Sequence, residues 1–405
     1  MDQRSEENVS AWAPLGNPVY RSFWLASLVS NLGTWMHEVG SGWLMTELDA
    51  SPQMVSSVRT AMAAPIVFLA IPAGVLADRV DRRRLLLGTQ SLMLVTTGFM
   101  ALMTLTGAIT SWSLLSMTFL MGIGLTLHAP TWQASIPELV PRAQLSRAIA
   151  LGSISFNLAR AVGPALAGVL VAMTGCWIAF SINAFSFAGV ILVLAFWKRE
   201  RRESSRGLSF GISLYQGLRF VGRTASIRNV LIRLAMFVMP ASVFWCLLPL
   251  VARERLSWGA GGFGILVTCV GAGAVFAARF LPGWHARCGV NWTATHAGTL
   301  VASALCVLSV STDRYVVTGA TLAFGCGWMM TLTTFNTCAQ IILPSRLKAR
   351  GMGCYLTAFA IAMSGGSAVW GWTADAIGIS GAQQIAAAML LIASVAGLGL
   401  RMDKP

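Results

Sequence analysis

Long apolar stretches of about 20 residues constrain this chain more than any other feature. A helix needs about 20 apolar residues to cross the hydrocarbon core of a bilayer. Reading between charged and turn residues gives twelve such stretches in the 405 residues. The sequence therefore predicts an all-α polytopic membrane protein with twelve transmembrane helices, over residues 20–44, 53–77, 85–107, 111–135, 147–173, 176–197, 229–252, 260–282, 291–310, 315–337, 351–375 and 381–400.

The composition agrees with a membrane protein, because 56% of the residues are hydrophobic and only 11% are charged, whereas soluble domains are about 25% charged. The net charge of +14 does not indicate nucleic-acid binding, since the basic residues form short islands between apolar stretches. The polar, partly acidic first ten residues lack the features of a signal peptide, so the first span is expected to be retained. The eight cysteines form no CxxC pair and are interpreted as small core residues.

The positions of the basic residues predict the topology. With the N-terminus inside, 24 of the 29 Lys and Arg residues fall on the cytoplasmic side. The positive-inside rule then places both termini in the cytoplasm, with anionic lipid headgroups as partners. Residues 198–228 are predicted to be a cytoplasmic linker with a short amphipathic helix on the membrane, between six-helix bundles at 1–197 and 229–405. The five remaining basic residues are Arg59, Arg160, Arg253, Arg255 and Arg314.

An internal repeat relates the two halves. When residue i is aligned with residue i + 203, Pro141 meets Pro344 and Arg147 meets Arg350. The same shift also aligns Gly163 with Gly366, Gly168 with Gly371, Trp132–Gln133 with Phe335–Asn336, and Arg84 with Arg287. Two parallel copies of one unit are typical of a transporter that rocks around a central site. A duplication that serves stability is the alternative.

Two motifs add a family resemblance. The stretch GVLADRVDRRRLLL, residues 74–87, resembles the G-x-L-A-D-R-x-G-R-R-x-x-L loop motif of the major facilitator superfamily, with Asp81 in place of the glycine. The stretch GPALAG, residues 163–168, resembles the helix 5 motif of its exporters. NPVYRSFWLASLVSNLGTWM and PTWQASIPELVPRAQLSR resemble one subgroup, the enterobactin-exporter-like transmembrane secretion effectors.

This resemblance implies a monomeric exporter of the bacterial inner membrane that moves a small organic molecule, such as a siderophore, drug or metabolite, in exchange for protons. An importer of the same fold and a non-transporting membrane sensor or assembly protein remain alternatives. The fourth span lacks the arginine of many proton-coupled relatives, and the second-half loop has Leu281 where the first has Asp78.

The loop motif is interpreted as half of a gate. Asp78 is expected to face the N-terminus of the eleventh span, whose free N–H groups favour an anion, and Gly74 is expected to let two helices approach closely. Arg79 and Arg82 are expected to reach partners across the halves. For Arg83 and its neighbours, a purely topogenic role is the alternative.

Three residues are candidates for proton coupling. Glu38 is an acidic residue inside a span, which suits a proton carrier, and His37 lies beside it. Arg160 lies in the middle of the fifth span, and its depth permits a pair with Glu38 that would release Arg160 for an anionic cargo. The alternatives are a solvated Glu38 and an Arg160 that binds backbone carbonyls.

The resemblance also places the first, fourth, seventh and tenth spans around a cavity suited to an aromatic or amphipathic cargo. Its predicted lining is Asn31, Trp35, His128, Trp132, Gln133, Trp245, Trp328, Thr333, Thr334 and Asn336. Gly163, Pro164 and Gly168 are interpreted as a closely packed, bendable part of the fifth span. No Walker A motif, catalytic constellation or metal-ligand spacing is present, so neither an enzyme nor a cofactor is expected.

Overall fold

The computed structural model describes residues 10–197, 219–344 and 347–402, and these residues fold almost entirely as helices. We call residues 10–197 the first half of the chain, and residues 219–344 and 347–402 the second half. The helices are α1 Pro18–Leu48, α2 Pro52–Arg79, α3 Arg82–Leu105, α4 Ser111–Leu139, α5 Leu145–Thr174, α6 Trp177–Phe196, α7 Ala225–Leu250, α8 Ala260–Val310, α9 Arg314–Ile342 and α10 Lys348–Ala396.

The helices correspond to the predicted spans, and two of the ranges, α8 and α10, each hold a pair of spans joined at a kink. α8 contains the eighth and ninth spans, and α10 contains the eleventh and twelfth. Non-helical backbone interrupts each at a glycine, at φ 73° for Gly289 and φ 81° for Gly378, a left-handed region that glycine tolerates best. Among the described residues, nine helices are long and apolar enough to cross a membrane, and α1 is not one of them.

The predicted linker falls largely outside the described residues. Its described part is helical from Arg219 to Arg223, and α7 begins at Ala225, four residues before the predicted span. α7 is almost wholly buried and continues into a π-helical turn, Val251–Arg255. The predicted amphipathic helix at residues 212–221 therefore lies mainly in the part of the chain that is not described.

Packing within each half follows the same scheme. α1 packs on α5 and α6 in the first half, and α7 packs on α10 in the second. A Cβ at Gly163 on α5 would lie 2.8 Å from the Cβ of Trp35 on α1, and a Cβ at Gly366 on α10 would lie 2.6 Å from the Met239 carbonyl on α7. The two glycines that the sequence repeat aligns thus make equivalent helix contacts.

The halves meet through α2 with α10 and α5 with α8. A Cβ at Gly168 would lie 2.9 Å from the Cα of Gly264, and a Cβ at Gly371 would lie 3.1 Å from the Pro52 carbonyl. These backbones therefore approach too closely for a larger side chain. Both contacts lie towards the end of the molecule that holds the α1–α2 turn, residues 49–51, which we call the α1–α2 end.

Polar contacts also join the halves at the α1–α2 end. The Gln53 amide donates to the Asp375 carboxylate across 3.3 Å. Arg253, in the π-helical turn, donates to the Thr46 carbonyl in the last turn of α1. Helix ends leave carbonyls without intrahelical partners, so this arginine satisfies one of them with a group from the other half.

Candidate functional site

A small cavity of about 30 Å³ lies between the two halves. It is lined by Glu38, Ser41, Gly42, Val55, Val58, Arg59, Met62, Thr118, Trp245, Cys246, Pro249 and Phe263. A smaller neighbouring cavity of about 10 Å³ shares Glu38, Arg59, Trp245 and Phe263 and also touches Trp35. The walls are mostly apolar, and the two charged residues lie together at the point where the cavities adjoin.

An ion pair is the main polar feature of this cavity. Glu38 on α1 and Arg59 on α2 approach to 2.6 Å, with their side chains 24% and 22% exposed. The Arg59 guanidinium lies 5.2 Å from the ring centroid of Trp245 on α7, within cation–π distance. The buried indole nitrogen of Trp245 has no hydrogen-bond partner among the described residues. A charged side chain of the first half, Arg59, therefore contacts an aromatic ring of the second half, Trp245.

Arg160 does not form the ion pair with Glu38 that its depth permits. Its guanidinium lies over the Trp35 ring, 5.8 Å from the centroid, while Glu38 is bound to Arg59. Glu38 and Arg160 are still close enough for their charges to interact. Glu38 thus pairs with Arg59 of the adjacent helix α2. Arg160 packs instead against the ring of Trp35, one turn away from Glu38 along α1.

His37 faces away from this pair. Its side chain is fully buried, with its ring 5.0 Å from the Phe180 ring on α6, and neither ring nitrogen is hydrogen-bonded within the described part of the chain. Consecutive residues on a helix do not share a face. The adjacency of His37 and Glu38 in sequence therefore does not bring them together in a common site.

The other predicted lining residues of the first half contact neighbouring helices. Asn31 lies 3.4 Å from the Ser155 hydroxyl on α5. His128 lies 3.3 Å from the Gln90 amide, and its ring is 5.3 Å from that of Trp132. Gln133 is exposed. Among the first-half residues predicted to line the central space, Trp35 alone lines one of the two cavities described above, the smaller one.

In the second half, Trp245 lines both cavities. Trp328 is buried 5.7 Å from Trp245 in an aromatic cluster. The hydroxyl of Thr334 lies 2.8 Å from the His285 ring. The side chains of Thr333 and Asn336 contact residues of their own helix, Met329 at 3.4 Å and Gln340 at 2.5 Å respectively.

The loop motif fixes helix ends within the first half. Asp81, which replaces the motif's glycine, caps α3 by accepting a hydrogen bond from the Arg84 N–H at 3.0 Å. Arg83 donates to the Leu194 and Ala195 carbonyls at 2.8 and 2.7 Å, in the last turn of α6. Arg83 thus binds the carbonyl end of α6, where a cation is favoured.

Two expectations for this motif differ from the structure. Arg82 does not reach across the halves, because its guanidinium is bound to Glu138 and to the Ala134 carbonyl on α4, each at 2.7 Å. Gly74 makes no close helix contact either, since a Cβ there would meet nothing within 4 Å among the described residues. Arg79 is exposed at the end of α2, and the side chain of Asp78 lies outside the described residues.

The close packing predicted for the fifth span appears at both of its glycines. Gly163 packs on Trp35, Gly168 packs on Gly264, and Pro164 is buried inside α5. A Cβ at Gly264 would lie 2.7 Å from the Pro164 carbonyl. This part of α5 therefore contacts α1 within its own half and α8 across the interface.

Arg59 is not among the predicted site residues. A basic residue inside an apolar span indicates either a functional group or a side chain that reaches water, and the structure pairs Arg59 with Glu38. Ser41, Thr118 and Phe263 carry no sequence signal that separates them from other helix residues. No cluster of three or more His, Cys, Asp or Glu suited to a metal is found within residues 10–197, 219–344 and 347–402.

Comparison with known proteins assigns the family. The family model described as transmembrane secretion effector matches residues 9–404. The staphyloferrin A transporter of Staphylococcus aureus (strain NCTC 8325 / PS 47) is 27% identical over 64% of this chain and 66% of its own length. Macrolide efflux protein A of Streptococcus pyogenes is 22% identical over 43% of this chain and 42% of its own length. The matched region thus spans less than two thirds of each relative.

Solved structures agree on the fold. The crystal structure of the nucleoside transporter NupG superposes with a TM-score of 0.73 over 95% of this chain and 100% of that one, at 12% sequence identity. An identity this low shows a common fold alone. The family match over nearly the whole chain decides the assignment: this chain belongs to the transmembrane secretion effector family of major facilitator superfamily transporters.

Proposed function

We propose that the chain exports a small organic molecule in exchange for protons, with Glu38 as the proton-binding residue. The observation that carries this proposal is the Glu38–Arg59 ion pair in a cavity that both halves line. Protonation of Glu38 removes the negative charge and weakens the pair. Arg59 then loses its carboxylate partner beside Trp245 of the opposite half, so a proton alters a contact between the halves.

In this proposal the chain crosses the bacterial inner membrane twelve times as a monomer, with two six-helix bundles, residues 1–197 and 229–405, and both termini in the cytoplasm. The α1–α2 end is then extracellular. The contacts of Gly168 with Gly264 and of Gln53 with Asp375 close the central space at that end. Transport requires them to separate when the halves rock.

A latch at the opposite end completes the cycle. Asp78 is proposed to interact there with the N-terminus of α10. Thr60 donates to the Ser364 carbonyl at 3.2 Å, and together with the Gln53–Asp375 contact this makes α2 and α10 antiparallel. Continuing along both helices at 1.5 Å per residue brings Asp78 and Lys348 to about the same depth.

The relatives suggest a range of cargo. Their names are those of a siderophore transporter, the staphyloferrin A transporter, and of a macrolide efflux protein. Apolar walls with aromatic residues and few polar groups are typical of sites for organic molecules, and this cavity would have to widen as the halves rock to admit one. We therefore propose a siderophore, drug or metabolite as cargo, with the proton as the second partner.

The test is metabolite profiling of a deletion strain that carries either the wild type or a single-residue variant. Glu38→Gln keeps the size of the side chain but cannot bind a proton. Glu254→Gln is the matched control, because Glu254 is exposed in the π-helical turn outside the cavity. Membrane levels of each protein are measured in parallel.

Export predicts a compound that accumulates in the deletion strain and returns to the medium with the wild type and Glu254→Gln. Glu38→Gln should leave it inside the cells. Normal efflux by Glu38→Gln would overturn the proton-binding role. A compound that is depleted inside the deletion strain would show import instead.

A further inference from the structure

Arg160 is a charged side chain in the middle of α5, at the edge of the site. Its guanidinium lies over the ring of Trp35, and Trp35 lines the smaller cavity together with Glu38 and Arg59. The backbone of Arg160 touches α8, since a Cβ at Gly271 would lie 3.1 Å from the Arg160 carbonyl. Arg160 therefore stands where the two halves meet, beside the proposed cargo path.

The Arg160 guanidinium makes no hydrogen bond and no ion pair to any residue in 10–197, 219–344 or 347–402. An arginine keeps its charge in proteins and carries five N–H donors. A charged side chain at membrane depth is costly unless it has a partner or a water-filled cavity. The contact with the Trp35 ring does not use those donors in hydrogen bonds.

The charges around the cavity do not balance. Glu38 provides one negative charge, while Arg59 and Arg160 provide two positive charges. Glu38 is held at 2.6 Å by Arg59, so the excess positive charge resides at Arg160. One bound monoanion would bring the sum to zero with Glu38 ionised. A neutral site is the least costly one to close off from water.

We infer that Arg160, with the face of Trp35, binds an oxyanion of the cargo, such as a carboxylate. The inference rests on the proposed export function and narrows its cargo to anions. A guanidinium binds a carboxylate through two parallel N–H···O bonds, and the indole face accepts a flat or apolar part of the same molecule.

The test compares the charge of exported compounds across variants of the full-length protein. The deletion strain carries the wild type, Arg160→Gln, Arg160→Lys or Arg314→Gln, and spent medium is profiled by mass spectrometry. Arg314→Gln is the matched control, because Arg314 also lies on a tryptophan, 5.3 Å from the Trp258 ring, but outside both cavities. Size-exclusion profiles establish that each variant folds.

We expect compounds whose export depends on the wild type to be anions at pH 7. Arg160→Gln should reduce their export roughly tenfold or more, because a charge-assisted pair is lost. Arg160→Lys should keep part of it, since it retains the charge without the bidentate geometry. The inference would be overturned if the compounds exported by the wild type were neutral or cationic. It would also be overturned if the folded Arg160→Gln variant exported them as well as the wild type does. The absence of any wild-type-dependent export would instead overturn the proposed function, and the inference with it.

Discussion

The contact between α5 and α8 offers a direct test of rocking. Replacing Gly264 by alanine adds one methyl group where the backbones of the two halves touch. The new Cβ would lie 2.7 Å from both the Gly168 Cα and the Pro164 carbonyl. Ordinary van der Waals contact begins near 3.4 Å, so the helices must separate by about 0.7 Å. Neither neighbour is a side chain that can rotate away.

Overpacking of this kind costs about 1–3 kcal/mol. The cost applies to the state in which the α1–α2 end is closed, and it is relieved when α5 and α8 separate. The equilibrium constant for opening should therefore rise about 5- to 150-fold. Gly261→Ala is the matched control on the same helix, because among the described residues a Cβ there would meet only the Gly168 carbonyl, at 3.9 Å.

Cys246 provides a native reporter for opening. Its side chain is 1% exposed and lines the larger cavity. The assay uses a variant that retains Cys246 as its single cysteine and a membrane-impermeant maleimide added to intact cells. Adding Gly264→Ala should make the labelling of Cys246 about 5- to 150-fold faster. Gly261→Ala should label at the parental rate. Equal rates for the two alanine variants would refute the claim that this contact closes the α1–α2 end.

Three further predictions concern charges at helix contacts. Glu38→Arg and Arg59→Glu should each abolish transport, whereas the double exchange should regain part of it because the pair re-forms; a double variant as inactive as the single ones would contradict the pairing. Asp81→Ala should cost about 1 kcal/mol of stability through the lost α3 cap, and Asp81→Gly only a few tenths; midpoints of thermal unfolding in detergent should rank in that order. Arg83→Ala should also lower the midpoint, because the Leu194 carbonyl loses a charged donor, and an unchanged midpoint would assign that arginine to topology alone.

The sequence determined the membrane class and the repeat. Apolar length is a local property, so candidate spans could be located without knowledge of their neighbours. The alignment of Gly163 with Gly366 corresponds to a pair of equivalent helix contacts. The breaks that the sequence predicts between neighbouring spans, residues 283–290 and 376–380, contain the two non-helical glycines, Gly289 and Gly378.

The sequence also selected Glu38 as a charged residue inside a span, but its partner was decided by the tertiary structure. Depth along the helices allowed Arg160, yet the rotation of α1 and α2 about their axes brings Arg59 to 2.6 Å. That rotation is set by side-chain packing between helices, which no single helix specifies. For the same reason His37 packs on Phe180 and Trp245 comes from the other half to cover the pair.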